Sequence, residues 1–405
     1  MKIDIFNPDN YVNGTPHHMF KWLRANAPVH FHGEVNGRGY WALTRHKDIV
    51  AVSRDPATFS SARGATFIRD YADDSDELQT QRFMLPNMDP PQHIKYRNLV
   101  RPGFVPKMIH FLEPRIRQRV TEILDAVPAE GDFVHEVAGM LPIHVIAEMI
   151  GVPDEDRDKV FDWGRRLVNF DNPDALETYE DARGVAMEMF QYAGELAQQR
   201  YESPSDDLIS ILMHGVVDGE QLTVMEFASF FMLLVVAGHE TTRNVIAGGL
   251  LSLLQHPHEL ARLQAHPELM PSAVEEMLRW VAPINYFRRT ATRDTEIGGQ
   301  RIKENDKVVL YYASANHDED IFVDPDTFNI ARKPNDHLAF GIGQHMCLGA
   351  PLARLEIRLM FEQLLARFPD IQIDGPIVRM RSNFVNGIDR LPVRYSPVVQ
   401  VAVGA

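Results

Sequence analysis

Hydrophobic residues recur at helical spacing between about residues 90 and 270, and this pattern predicts that helices form the bulk of the fold. The last segment of this stretch begins at Thr223, where Glu226 completes a capping box, and stays helical in pattern to about Gln255. A helix of that length should cross the whole molecule. A further strong helical pattern runs from about residue 347 to residue 367.

Short runs of β-favouring residues lie on both sides of the helical stretch. Residues 29–44 surround Asn36-Gly37, a dipeptide suited to a hairpin turn, and predict a small sheet near the amino end. Similar runs at 294–313 predict a second small sheet, and strand patterns return near 371–403.

Between these elements, residues 61–88 are polar and irregular, and a loop of this length is often a lid over a site. The whole pattern predicts a mainly α fold in one domain over residues 1–405. We expect a small β-rich region at about 25–60 and 283–330, and a helical region at about 89–280 and 347–367.

Composition narrows the class of protein. With 41 basic and 56 acidic residues the net charge is −15, and scattered basic residues make nucleic acid an unlikely partner. One cysteine cannot form an internal disulfide, which fits a reducing, cytoplasmic location. The start of the chain shows no signal peptide, and the longest apolar run, 227–238, is shorter than the roughly 20 residues of a membrane span. We expect a monomer without a membrane anchor.

The single cysteine, Cys347, lies in the glycine-rich stretch FGIGQHMCLG directly before a predicted helix. Glycine allows unusual backbone conformations and close approach to a flat group. At the first turn of a helix, we expect the sulfur to be held as a thiolate, which is a metal ligand. Structural zinc sites and iron–sulfur clusters need more cysteines than this chain has, whereas haem needs one axial thiolate. These residues favour haem over a buried structural cysteine.

The same ten residues match, at every fixed position, the haem-binding loop F-G-x-G-x-H-x-C-x-G of the cytochrome P450 monooxygenases. The chain resembles this family over its whole length, and the resemblance implies the cytochrome P450 fold. It also implies haem b (iron protoporphyrin IX), ligated by Cys347 and contacted by Phe340, Gly341 and Gly349. The family's reaction inserts one atom of dioxygen into a C–H bond of a hydrophobic molecule, and the other atom leaves as water.

The segment VVAGHETTRN, residues 235–244, places polar residues in a helix that is otherwise apolar, and buried polar groups are costly unless they are paired. An acid beside an alcohol can relay protons. The stretch is similar to the family's oxygen-activation motif, which implies that Thr241 holds dioxygen and a water, that Glu240 passes protons from solvent, and that Ala237 borders the haem. We expect His239 to be a solvated helix residue, with perturbed proton supply or contact with the haem as the alternatives.

Cationic residues also stand at motif positions. The stretch DPPQHIKYR contains His93 and Arg97 at a spacing of four, and with Arg289 and His345 they match the family's contacts to the haem propionates. Because Arg288 adjoins Arg289, the register there is open by one residue.

The pair Glu276 and Arg279 corresponds to the family's E-x-x-R motif. Its members join a third partner from the stretch before the cysteine loop, and we assign them a structural role.

The resemblance places the substrate pocket over the distal haem face, under the loop 61–88. The remaining predicted pocket residues are apolar with few exceptions, and they are Leu233, Val236, Ala237, Ile284, Asn285 and Val385. We therefore expect a hydrophobic small-molecule substrate. Residues 382–393 are similar to the tail of bacterial family members that hydroxylate steroids, branched alkyl chains or terpenoids.

Electrons must come from another protein, because the chain shows no nucleotide-binding glycine pattern and no second cofactor domain. A ferredoxin with its reductase is the expected donor. The basic residues expected to contact it are Arg101, Lys107, Arg332, Lys333, Arg354 and Arg358. The alternatives are a haem-thiolate ligand sensor without turnover, and a peroxygenase or nitric oxide reductase of the same fold.

Overall fold

The computed structural model describes residues 3–34, 37–72, 74–168, 179–205 and 207–395. The helices are α1 (His17–Asn26), α2 (His46–Ser53), α3 (Asp76–Arg82), α4 (Gln92–Val100), α5 (Pro106–Asp125), α6 (Met140–Ile150), α7 (Arg157–Val168), α8 (Tyr179–Glu202), α9 (Leu208–His214), α10 (Val224–Gln255), α11 (Pro257–Ala265), α12 (Met270–Val281), α13 (Tyr312–Ala315) and α14 (Ala350–Arg367). The strands are β1 (Val29–His32), β2 (Tyr40–Leu43), β3 (Phe59–Ser60), β4 (Glu130–Asp132), β5 (Val216–Val217), β6 (Glu220–Gln221), β7 (Tyr286–Ala291), β8 (Thr295–Ile297), β9 (Gln300–Ile302), β10 (Lys307–Tyr311), β11 (Gln372–Ile373), β12 (Val378–Arg379), β13 (Ile388–Arg390) and β14 (Pro392–Arg394).

The long helix α10 is the centre of the helical region. It begins after Thr223, whose side chain and that of Glu226 form the predicted capping box. It packs against α6, α7, α8, α12 and α14, so most of its length is enclosed by other helices. The predicted helix is confirmed, including its end at Gln255.

By length and composition alone, α10 could cross a membrane, and it is the one helix among the described residues that could. Its 32 residues extend well past the apolar run 227–238 on which the sequence interpretation relied. Core helices of soluble proteins meet the same criterion, and the packing of α10 between other helices is that of a core helix.

The last predicted helix starts later than expected. Residues 348 and 349 form a turn, and α14 begins at Ala350, with Pro351 in its first turn. Proline is favoured there because the first helical N–H groups have no partner within the helix. The cysteine therefore lies just before the helix and not within its first turn.

The strands in the two predicted stretches are distributed over two sheets: β8 and β9 form a two-stranded sheet of their own, whereas β10 joins β1 and β2 in a five-stranded sheet. Its strand order is β1-β2-β10-β7-β3, and the β2–β10 pair is parallel, with Val308 opposite Trp41. The chain between β1 and β2 covers residues 33–39, of which Asn36 lies outside the described residues. Near the carboxyl end, strands β11–β14 fall in the predicted stretch up to Arg394, and residues 396–405 lie outside the described part.

Each face of the five-stranded sheet is buried in its own apolar cluster. On β10, Val308 and Leu310 belong to one cluster, and Val309 and Tyr311 to the other, as the two-residue period of a strand requires. A much larger cluster unites α5, α6, α10, α12 and α14. The sheet thus forms a flank to the helical core.

Candidate active site

A cavity of about 270 Å³ lies between α10 on one side and the cysteine loop with α14 on the other. Its wall combines elements that are distant in sequence: residues of the loop 61–88, α4, α10, the start of β7 and the stretch 339–349. Most of the lining side chains are apolar. The polar lining residues include Cys347, two histidines, two arginines and two threonines of α10.

The cysteine loop forms the floor of this cavity. Gly341 and Gly343 have φ values of 66° and 78°, so both occupy the left-handed region that favours glycine. At Gly343 a Cβ would lie 2.4 Å from the carbonyl oxygen of Ser53, which excludes any larger residue. The loop closes through a backbone hydrogen bond of 2.8 Å from the Cys347 N–H to the Phe340 oxygen.

Cys347 lines the cavity, and its accessible surface lies there. The backbone N–H groups of Gly349 and Ala350 point at the sulfur. Burial nevertheless raises the pKa of the thiol, although these N–H groups and the guanidinium of Arg97 oppose the increase. The N–H groups predicted to favour a thiolate are thus in place, while burial acts against them. A bound metal cation would supply the missing positive charge.

The four predicted propionate contacts, His93, Arg97, Arg289 and His345, all line the cavity together. The rings of His93 and His345 lie 4.1 Å apart between centroids, and Nε2 of His345 contacts the Ser61 hydroxyl at 3.3 Å. Burial lowers the pKa of His93 to about 4 and that of His345 to about 2, with the nearby arginines adding to the effect. Both imidazoles are thus neutral hydrogen-bonding groups near pH 7.

This group fits an anionic cofactor edge. Neither ring nitrogen of the buried His93 has a hydrogen-bond partner among the described residues. Arg289, which is 5% exposed, donates to a backbone oxygen, that of Arg288, at 2.7 Å. Arg97 donates to the Met346 oxygen at 2.6 Å. Buried cationic and unpaired groups of this kind need a negatively charged partner, and two carboxylates provide one.

Which of the adjacent residues Arg288 and Arg289 faces the cavity follows from the alternation of side chains along a strand. Arg289 points into the cavity, whereas Arg288 points to the other face of β7 and donates to the backbone oxygens of Ile68 and Arg69 at 3.2 and 2.6 Å. Arg288 therefore anchors the loop 61–88. Among the described residues, no cluster of three or more His, Cys, Asp or Glu side chains could hold a metal ion. One sulfur in the cavity floor and a cationic edge fit haem.

On the opposite wall, α10 presents Ala237 and Thr241 to the cavity. The hydroxyl of Thr241 donates to the Ala237 carbonyl oxygen at 2.9 Å, the local back-bond typical of threonine within helices. Gly238 also borders the cavity, but a Cβ there would lie 2.9 Å from Ile146 of α6. This glycine therefore permits close packing of α6 on α10.

Glu240 does not line the cavity and points to the back of α10. It is 3% exposed and ion-paired with Arg243. Burial alone would raise the pKa of Glu240, but Arg243 and His239 together hold it below its usual value. His239 is buried, contrary to the expectation of a solvated residue, and burial lowers its pKa to about 4. Its Nδ1 lies 3.8 Å from Oε2 of Glu240.

Three of the predicted pocket residues line the cavity, namely Leu233, Ala237 and Ile284. Val236 does not, because one residue along a helix turns the side chain by about 100°. Asn285 is fully buried and donates to the Asn383 oxygen at 3.1 Å, on the far side of the strand from Ile284. Val385 forms an antiparallel bridge with Ile284 and is buried behind the wall.

The sequence interpretation missed several lining residues. On α10 these include Phe230, Thr242 and Val245, and beyond it Phe287 contributes an aromatic ring. The residues of α10 that line the cavity form two neighbouring rows, each with a spacing of four, so counting back from Thr241 by helical turns would have found Phe230. The loop 61–88 contributes Ala65, Leu85 and Pro86, as expected of a lid.

The E-x-x-R pair lies beside the cysteine loop as a buried cluster. Glu276 and Arg279 are both 0% exposed, and two nitrogens of Arg279 donate to the Glu276 carboxylate at 2.8 Å. The predicted third partner is Arg332, whose Nε lies 3.1 Å from Glu276. The predicted third contact is present, and the structural role of the pair stays a prediction.

Comparisons with known proteins agree with this site. The family model for cytochrome P450 matches residues 159–369. A steroid C26-monooxygenase of Rhodococcus jostii is 40% identical over 403 residues, which cover 97% of this chain and 84% of the relative. A methyl-branched lipid omega-hydroxylase of Mycobacterium tuberculosis is 40% identical over 390 residues, 93% of this chain and 90% of the relative.

Among solved structures, a Mycobacterium marinum cytochrome P450 in complex with pseudoionone superposes with a TM-score of 0.91. It is 38% identical, and the match covers 98% of this chain and 99% of that chain.

Proposed function

Because the chain belongs to the cytochrome P450 family, and is a haem b-dependent monooxygenase of hydrophobic substrates, we propose that it hydroxylates the methyl-branched end of an extended hydrophobic molecule. Carbon 26 of a steroid and the omega carbon of a methyl-branched lipid share this chemistry, since both are terminal methyl groups beside a branch point. The proposal therefore names a chain end and not one particular substrate.

The observation that carries the proposal is the composition of the wall opposite the cysteine. Phe230, Leu233, Ile284 and Phe287 line it together with the lid residues, whereas the arginines and histidines of the cavity gather at the cationic edge. Such a wall offers a substrate apolar contact and few hydrogen bonds, so the shape of the chain end has to set its position.

Cys347 would hold the cofactor from below, and His93, Arg97, Arg289 and His345 would hold its carboxylates. The haem supplies dioxygen activation and C–H oxidation when it is bound. The chain itself positions the substrate, keeps out water and moves protons.

We assign proton delivery to two residues of α10. Thr241, on the cavity side, would hold a water with its hydroxyl, and Glu240, on the back of the helix, would bring protons from outside. The position of Thr241 in the cavity wall supports its role in holding the water. The burial of the Glu240 carboxylate, with its pKa held below the usual value, supports the role of Glu240 in bringing protons.

Electrons come from a separate redox partner, and we propose a ferredoxin. Of the basic residues expected at its docking surface, Arg101, Lys107 and Lys333 are exposed. Arg332 is not available, because it is buried against Glu276.

Two further arginines of that set, Arg354 and Arg358, are already engaged by carboxylates, those of Glu275 and Glu113.

We further propose that the protein is a monomer located in the cytoplasm. The ligand sensor considered from the sequence is set aside, because both named relatives are oxygenating enzymes.

The test is a matched panel of substrates with the haem-loaded enzyme. We expect a steroid with an intact branched side chain and a methyl-branched fatty acid to shift the haem absorption band and to yield terminal alcohols, identified by mass spectrometry. The controls are the same steroid without its side chain and an unbranched acid of equal length. Hydroxylation of the steroid ring, or equal turnover of the unbranched acid, would contradict the proposal.

A further inference from the structure

The back of α10 carries a polar face that the cavity does not use. Glu240, Arg243 and Asn244 are spaced three and four apart, so they lie on one side of the helix. None of the three lines the cavity, and all are at most 6% exposed. This face packs against the β12–β13 hairpin, where Met380 and Gly387 approach it.

Within this face, the two carboxylate oxygens of Glu240 differ in their contacts. Oε1 accepts the ion-pair hydrogen bond from Nη2 of Arg243, and Nδ2 of Asn244 lies 3.5 Å from the same oxygen. Oε2 accepts no hydrogen bond from the described residues, although His239 Nδ1 lies 3.8 Å away. Arg243 therefore fixes one oxygen and leaves the other available.

Two further buried polar atoms lack a partner in the same place. Nε of Arg243 and Oδ1 of Asn244 have no hydrogen-bond partner among the described residues. A Cβ at Gly387 would lie 2.9 Å from Oδ1 of Asn244 and 2.2 Å from the Met380 sulfur, so only glycine leaves this corner open. One donor and two acceptors are thus left without partners on the same buried face of α10, and a buried water requires hydrogen-bonding groups of this kind.

We propose that Arg243 is a positioning residue for Glu240, holding Oε1 so that Oε2 faces a buried water site formed with Asn244, and that protons reach Glu240 through this water. The inference rests on the proposed role of Glu240 in proton delivery. In each passage the water gives one proton to the carboxylate and takes one from solvent, and the carboxylate releases one toward the cavity side of α10, so both regain their starting charge.

A purely structural ion pair is the competing explanation, because breaking any buried pair destabilises a protein. The pair of Arg200 with Asp207, at 2.6 Å and largely buried, offers a matched control. It joins α8 to the start of α9, and neither residue lines the cavity. Arg200→Gln should lower stability and leave proton delivery unchanged.

The experiment compares Arg243→Gln, Arg243→Lys and Arg200→Gln in the haem-loaded enzyme. For each we would measure the product formed per electron consumed, the solvent deuterium isotope effect on turnover, and the thermal midpoint. We expect Arg243→Gln to keep the absorption band of its reduced carbon monoxide complex but to lose product per electron by about tenfold, with a larger isotope effect. Arg243→Lys keeps the charge and one donor, and should recover most of the loss.

A readout independent of turnover is the water itself. High-resolution crystals should show a water bonded to Oε2 of Glu240, Nε of Arg243 and Oδ1 of Asn244, and Arg243→Gln should displace it together with the carboxylate. If Arg243→Gln matches the wild type in product per electron, or loses only thermal stability as Arg200→Gln does, the proposal is overturned.

Two variants keep the outcomes separable. Glu240→Gln tests the carboxylate, and wild-type coupling in that variant would refute the proton role of Glu240 itself. If Arg243→Gln does not fold, Asn244→Ala removes one ligand of the water and retains the ion pair. Reduced coupling with loss of the water supports the proposal, and unchanged coupling contradicts it.

Discussion

At the scale of single residues, the chemistry of the cavity depends on which side of an element a side chain occupies. Thr241 faces the cavity, and its neighbour Glu240 faces the back of the same helix. Arg289 faces the cavity, and Arg288 faces the sheet side. Adjacent residues, such as the two arginines, therefore have different surroundings and different partners.

Thr241→Ala removes the hydroxyl at the cavity wall. We expect oxygen consumption to continue while product per oxygen consumed falls by about tenfold, because the proton is no longer delivered in place. The matched control is Ser252→Ala on the same helix, whose hydroxyl makes the same type of back-bond, to Gly248 at 2.7 Å, outside the cavity wall. Equal coupling in both variants would contradict the role of Thr241.

Arg289→Gln removes one charge from the cationic edge. A charge-assisted hydrogen bond contributes about 1.5–3 kcal/mol, so we expect haem to transfer to an acceptor protein at least about tenfold faster. Arg288→Gln is the comparison, since it should loosen the loop near residues 68 and 69 with less effect on haem transfer. Identical transfer rates in the two variants would show that Arg289 does not hold the cofactor.

The sequence predicted the site residues well where they belong to one contiguous motif. It predicted them poorly where the cavity wall is built from several elements that are distant in sequence. The ten-residue cysteine loop carries its own register, and its lining residues Phe340, Gly341 and Cys347 are in the wall. Val236 and Asn285 were each one position from a lining residue. An error of one residue reverses a side chain on a strand and turns it by about 100° on a helix.

At the scale of elements, local signals predicted the helices well. The capping box at Thr223 marked the start of α10 because both of its partners are within three residues of each other. The sequence did not predict that β10 pairs with the amino-terminal hairpin. The pairing of Trp41 with Val308 joins residues far apart in sequence, so it depends on how the intervening elements pack.

The buried Glu276 cluster connects α12 to the stretch before the cysteine loop. Glu276→Gln would leave Arg279 and Arg332 buried with an incomplete partner, and we expect a loss of about 3–5 kcal/mol. Urea titration followed by haem absorbance would measure this loss of unfolding free energy. The control is Asp294→Asn, which removes one partner of the exposed ion pair with Arg301 and should leave the urea midpoint unchanged. A wild-type midpoint for Glu276→Gln would contradict the structural role.

At the scale of the whole molecule, the net charge of −15 conceals a local excess of basic residues near α4 and α5. Arg101 and Lys107 are exposed there, and Arg97 reaches from α4 toward the cysteine loop. An acidic partner would approach this side despite the overall repulsion, because screening leaves mainly short-range charge interactions in salt.

Lys107→Glu should slow reduction by a ferredoxin by about tenfold at low ionic strength, and the difference should shrink as salt is added. Lys303→Glu is the control, because Lys303 is also exposed but follows β9, in the sheet region. The haem spectra of both variants should be unchanged. Equal reduction rates for the two variants would place the docking surface elsewhere.

The parallel pairing of β2 with β10 has a consequence for biosynthesis. The first hairpin to leave the ribosome cannot complete its sheet until about three quarters of the polypeptide has followed, and Cys347, the predicted sulfur ligand, emerges later still. Cofactor capture is therefore a late event in the life of the nascent chain, and cells that make this enzyme must protect an unfinished apolar interior until then.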